Sequence, residues 1–158
     1  MKDEPGVAFR ELASDIATIK ACVLEERYRI HAPGYFGRIA RRVRVVDPTA
    51  LVDQLDAATE QGVLTEPERE ALLLADIVLT GQRHADRQEV YLLVEVSGGI
   101  GPYDVQRAAD RAVVLAKLGR PALPVVAGEW ITVDGGELAR KRGVWQVLDG
   151  QTVAPVEP

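Results

Sequence analysis

Val90-Tyr91-Leu92-Leu93-Val94-Glu95-Val96-Ser97 is an apolar run that ends in a carboxylate and a hydroxyl. A nearly continuous apolar stretch of this length reads as a strand covered on both faces, as in a sheet held between helices. Alternation places Tyr91, Leu93, Glu95 and Ser97 on one face and Val90, Leu92, Val94 and Val96 on the other. A second run, Asp76-Ile77-Val78-Leu79-Thr80, precedes it and opens on an acid. The polar stretch Gly81–Gln88 between them is long enough for a hairpin, so the two strands are expected to pair. A carboxylate at the end of a hydrophobic strand is costly to desolvate without a proton, a hydrogen-bond partner or a cation. Two of them on neighbouring strands could converge on one divalent ion.

Downstream, Gly98-Gly99-Ile100-Gly101-Pro102 reads as a tight turn into a helix whose apolar face is Val105, Ala108, Ala109, Ala112, Val113 and Ala116. Gly119 and Pro121 end it. A strand over Ala122–Val126, a short helix over Gly135–Arg142 and a strand over Val144–Leu148 follow, then a frayed tail from Thr152 to Pro158. Upstream, Phe9, Leu12, Ile16, Ile19, Val23, Glu26 and Ile30 fall at spacings of 3, 4, 3, 4, 3 and 4, which predicts a helix over 7–30 with a coiled-coil-like seam. Such a seam either packs on the domain or pairs with a second copy. Pro33-Gly34 ends this stretch, and a helical turn through Tyr35, Phe36 and Ile39 leads to a strand over Arg42–Val46. Asp47-Pro48-Thr49 and Thr65-Glu66-Pro67-Glu68 are two helix starts. Helices that cross between strands predict a mixed central sheet in a three-layer α/β domain, with an N-terminal helical extension.

The chain has 158 residues, enough for one domain with a real core, and only 5% are aromatic, so valine, leucine and alanine do the packing. No apolar run approaches the roughly 18 residues of a membrane span, and the start does not resemble a secretory signal, so a cytoplasmic protein without membrane contact is expected. A single cysteine, Cys22, excludes an internal disulfide and a cysteine-based zinc site. The net charge of −5 conceals a segregation. Residues 27–46 hold six arginines and no acid, whereas residues 47–82 hold eight acids against Arg69 alone. This pattern is either a patch neutralised by the acidic helices beside it or a local positive field.

Hard cations such as Mg²⁺ prefer carboxylate, carbonyl and water oxygens, usually with one or two protein carboxylates. An ion held by Asp76 and Glu95 would activate water and stabilise charge on a phosphate. Alternatively, Glu95 ends its strand by pairing with Arg107 or Arg111.

An acid opening one strand, an 18-residue gap, then Glu95-Val96-Ser97 on the next strand and a helix bearing Gln106, Arg107, Asp110 and Arg111 resembles the PD-(D/E)XK nuclease superfamily. Pro121–Gly128 and Gly143–Asp149 add likeness to bacterial uncharacterised proteins in which such a domain follows a coiled-coil helix. The resemblance implies a restriction-endonuclease-like fold over 33–151, a dimerising helix over 1–32 and a flexible tail over 152–158. It implies DNA phosphodiester hydrolysis with Mg²⁺ or Mn²⁺ on Asp76 and Glu95, and Glu26 as the further acid often supplied by the first helix; the residues themselves favour Glu26 as a partly exposed seam acid paired with Arg29 or Arg27. Ser97 would orient water, while Gln106 or Arg107 would position the phosphate. Arg38, Arg41, Arg42 and Arg44 would track the DNA backbone, and a homodimer would form through the N-terminal helix. Serine stands where the superfamily has lysine, and a neutral hydroxyl supplies no positive charge to the developing anion. The competing expectation is therefore a catalytically degenerate nuclease fold that serves in nucleic-acid binding or homo-oligomeric assembly.

The glycine loop lacks the Gly-Lys-Ser/Thr ending of a P-loop, so a tight turn is favoured over an anion site. His31 and His84 are not at metal-ligand spacing, Cys22 reads as a small core residue, and Trp130 and Trp145 read as packing residues.

Overall fold

The computed structural model describes residues 5–156. The first four residues of the N-terminal segment and the last two of the expected tail lie outside the described residues. Helix α1 (Pro5–Ile30) and the short α2 (Ala32–Phe36) lead into strand β1 (Ala40–Val45), followed by α3 (Pro48–Glu60) and α4 (Glu66–Leu73). Next come β2 (Ile77–Arg83), β3 (Glu89–Val96), the two-residue β4 (Gly99–Ile100) and α5 (Pro102–Leu115), which runs into a 3-10 turn over Ala116–Leu118. The chain continues with β5 (Ala122–Gly128), β6 (Trp130–Ile131), α6 (Val133–Arg142), β7 (Trp145–Leu148) and β8 (Gln151–Val153).

Six strands form a mixed sheet in the order β1-β2-β3-β5-β7-β8. The first three alternate antiparallel, β3, β5 and β7 run parallel, and β8 returns antiparallel. Parallel neighbours need a crossover, and α5 and α6 supply the two that this order requires. One face of the sheet packs Ile77, Leu79, Val90, Leu92, Val94 and Val96 against Leu24 and Tyr28 of α1 and Phe36 of α2. The other packs Val78, Tyr91 and Leu93 against Leu55, Leu72, Val105, Ala108 and Ala112 of the helices opposite. The alternation along β3 is thus the one expected from sequence, and the architecture is a three-layer α/β fold with an N-terminal helix.

Local chemistry explains the element boundaries. Asp47 caps α3 by accepting from the Ala50 amide at 3.2 Å, and Thr65 with Glu68 forms a reciprocal capping box on α4. Pro33-Gly34 does not end the helical stretch. Pro33 lies in the first turn of α2, where a missing N–H removes no helical bond. The glycine loop is not merely a turn, because Gly99–Ile100 pairs in parallel with Trp130–Ile131. The tail is anchored through residue 153, where β8 pairs with β7 across a two-residue turn. That turn is Asp149-Gly150, both at positive φ, a strong hairpin signal in its own right. Strand β1 begins two residues earlier than expected and its register slips between Arg41 and Arg44. At the slip Arg42 takes a left-handed backbone with φ of 53°.

Only the C-terminal part of α1 meets the domain, where Leu24 and Tyr28 are buried and the Tyr28 hydroxyl donates to the Gly128 carbonyl at 3.3 Å. Residues 6–20 are exposed all round, and the apolar seam faces away from the domain. Cys22 is likewise exposed, not a core residue, because it lies off the short face that docks. Among the described residues no helix is long and apolar enough to cross a membrane.

Candidate functional site

The antiparallel register that pairs Ile77 with Val94 sets Asp76, one residue before β2, beside Glu95 near the end of β3. The two acids lock one another through backbone amides. Asp76 Oδ2 accepts from the Val96 N–H at 2.8 Å, and Glu95 Oε2 accepts from the Asp76 N–H at 3.2 Å. Glu95 is only 1% exposed and points to the α5 side of the sheet. There Arg111 Nη1 donates to Glu95 Oε1 at 2.5 Å, and Arg107 Nε lies 3.5 Å from the same oxygen. Arg107 also pairs with Asp104 at 2.8 Å and stacks its guanidinium 5.0 Å from the Tyr103 ring centre, and its buried Nε makes no hydrogen bond. Burial, and then the neighbouring Asp76, push the Glu95 carboxyl up to about 7, against the opposing pull of Arg111, the Asp76 amide and Arg107.

The structure brings Asp76, Glu95 and Arg107 together. It does not place the other candidates there. The side chain of Glu26 is 61% exposed and pairs with Arg29 at 3.6 Å. Arg29 in turn donates to the Asp76 carbonyl at 2.6 Å and to the half-buried Glu25 at 3.0 Å, so α1 brings a cation with Glu25 bound to it, and not Glu26, to this corner. The Ser97 hydroxyl donates to the Gly99 carbonyl at 2.9 Å, closing a local turn. Gln106 is exposed on α5, since only positions four apart on that helix, 107 and 111, look onto Glu95. Arg111, which the sequence suggests as a pairing partner for Glu95, is the cation nearest the carboxylate.

These residues do not fit a divalent ion. Both Glu95 oxygens and one Asp76 oxygen already accept hydrogen bonds, and two guanidinium groups stand where a cation would be repelled. Among the described residues no group of three or more His, Cys, Asp or Glu is placed to hold a metal. What the centre does instead is tie the start of β2, the end of β3, α1 and α5 to one another.

The arginine-rich segment forms a second constellation. Arg41, Arg42, Arg44, Gln82, Arg83, His84 and Arg87 line a groove of about 900 Å³ along the β1 edge and the β2–β3 hairpin. Arg38 is exposed outside it, beside the lining residue Gly37. Among the described residues Arg41, Arg42, Arg44 and Arg87 form no ion pair, while Arg83 is held by Asp86 at 3.1 Å. The acidic helices do not neutralise this segment: Asp56 pairs with Arg69 and Glu68 with Lys117. Arg87, like Arg42, has a left-handed backbone, with φ of 59°. A non-glycine residue there is strained, and two such arginines in one groove mark it as a place where local stability is given up. The groove lies at the far end of β2 from Asp76. Six residues of strand separate Asp76 from Gln82, about 20 Å at the usual rise. The arginines and the carboxylates are therefore two sites, not one.

No family model, curated protein or solved structure matches this chain.

Proposed function

We propose that this chain is a DNA-binding module on a nuclease-like α/β fold, without hydrolytic activity of its own. The observation that carries the proposal is the groove: five arginines, Arg41, Arg42, Arg44, Arg83 and Arg87, share one concavity with no carboxylate among its lining residues. In a chain of net charge −5 only a local field of this kind attracts a polyanion. Guanidinium forks match phosphate oxygens two at a time, and such contacts follow the backbone without reading sequence. Acidic strand ends followed by an arginine-bearing helix support the nuclease-like ancestry. The clamped state of Glu95 and the engagement of the Ser97 hydroxyl with the Gly99 carbonyl support the loss of cleavage.

The test is fluorescence anisotropy of a labelled DNA duplex over a range of salt concentrations. Wild type binds with a steep salt dependence, and each groove arginine changed to alanine lowers the slope of log K against log salt by about 0.9. A charged edge strand that serves only to prevent sheet-to-sheet aggregation would bind no DNA at low salt, and that result would refute the proposal. Supercoiled plasmid is expected to stay intact with Mg²⁺ or Mn²⁺. The hydrolytic alternative has one observation in its favour, the meeting of Asp76 with Glu95. Metal-dependent nicking that disappears in Glu95→Gln would establish it instead.

A further inference from the structure

We propose that α1 pairs with α1 of a second copy as a parallel, in-register two-stranded coil over residues 9–27. The inference stands independently of DNA binding. Residues 6–19 form about four turns of helix exposed to solvent on every side. A helix of this length is marginal in water unless an amphipathic face is packed. This one carries such a face unpacked, with Phe9 76% and Ile19 63% exposed and Leu12, Ile16 and Val23 also open to solvent. Their 3,4 spacing is the period that another copy of the same seam matches by supercoiling.

Sequence detail selects the occupant and its direction. With Phe9, Ile16, Val23 and Ile30 at a and Leu12, Ile19 and Glu26 at d, three of the four a residues are β-branched, which favours two strands. In a parallel pair the d-position Glu26 packs beside the partner's Arg27, an exposed arginine that makes no ion pair among the described residues. Asp15 at g faces the partner's Lys20 at e. Lys20 holds Glu129 at 2.8 Å, but both side chains are largely in solvent, so the exchange is easy. An antiparallel pair instead sets Glu26 against the partner's Phe9 or the partner's Ile16, with no cation to meet it. The short run of buried α1 residues, Leu24 and Tyr28, lies off the seam, so docking on the domain and pairing are compatible.

Sedimentation equilibrium without DNA is expected to give twice the 17.2-kDa chain mass for wild type and the single-chain mass for Ile16→Asp. Near-UV circular dichroism from Trp130 and Trp145 should be unchanged in that variant, which separates loss of pairing from loss of folding. In a Cys22→Ser background, Leu12→Cys is expected to form an intermolecular disulfide on mild oxidation. A monomeric wild type, or a dimer that survives Ile16→Asp, overturns the proposal. A disulfide formed only between Leu12→Cys and Val23→Cys chains overturns the parallel register.

Discussion

Replacing Glu95 by glutamine tests whether burial or the flanking arginines govern the carboxylate centre. The Glu95 carboxyl is raised from 4.5 to about 7, first by burial and then by Asp76, with Arg111 and Arg107 opposing. The folded protein therefore binds this proton more tightly than the unfolded chain does. Wherever the native state holds more protons, stability falls as pH rises. The contribution is complete below the ordinary carboxyl range and is lost as pH passes through about 7. The interval corresponds to about 3 kcal/mol. Glutamine has the same shape and no titration, so the stability of wild type minus that of Glu95→Gln should drop by about 3 kcal/mol as pH rises through this window. Urea unfolding followed by tryptophan fluorescence at a series of pH values measures it, and taking the difference cancels the titration of groups that do not interact with Glu95. A difference that is flat, or that grows with pH, would refute the reasoning. It would mean that the 2.5 Å contact with Arg111 outweighs burial and keeps the carboxylate ionised.

Three further outcomes follow from other parts of the structure. Arg111→Ala leaves an enclosed acid without its nearest cation, a change that costs about 3–5 kcal/mol when the survivor stays charged. The loss should be largest in mildly alkaline urea titrations and shrink below neutrality, where Glu95 takes up a proton. Gly128→Ala would place a Cβ 2.0 Å from the Ser97 carbonyl and 3.2 Å from the Ile100 side chain. Adjacent backbone cannot yield as a flexible side chain can, so overpacking of about 3 kcal/mol and a fall in Tm of roughly 6 °C or more are expected by calorimetry. Arg42→Gly relieves a left-handed backbone worth about 1–2 kcal/mol and adds about 0.5–1 kcal/mol of chain entropy to lose. Its stability in urea should therefore rise by up to about 1 kcal/mol while its affinity for duplex DNA falls.

Much of the scaffold is legible from local chemistry. The caps at Asp47 and Thr65 depend on side chains within three residues of the amides they satisfy, so they are visible in one dimension. The alternation along β3 is visible because a strand repeats every two residues. The Asp149-Gly150 hairpin was equally local and is simply a signal that reading the tail as frayed passes over. The pairing of β4 with β6 was not legible. It joins two-residue strands some thirty positions apart, too short to carry a periodicity of their own. The candidate site divides in the same way. That Asp76 and Glu95 would meet follows from pairing two consecutive strands. Whether an ion or an arginine would answer them depends on the angle at which α5 crosses the sheet.

The sequence by itself determined the order of elements, the two faces of β3, the seam of α1 and the segregation of charge, because each rests on spacing along the chain. Only the tertiary structure decided that Glu26 turns to Arg29 in solvent and that Arg111 closes on Glu95. Packing also set the arginine groove about 20 Å from the acids. The physical reason is that a charge is stabilised by whatever lies within a few ångströms of it. For a buried carboxylate that neighbour is chosen by how helices pack on a sheet, not by adjacency in the chain.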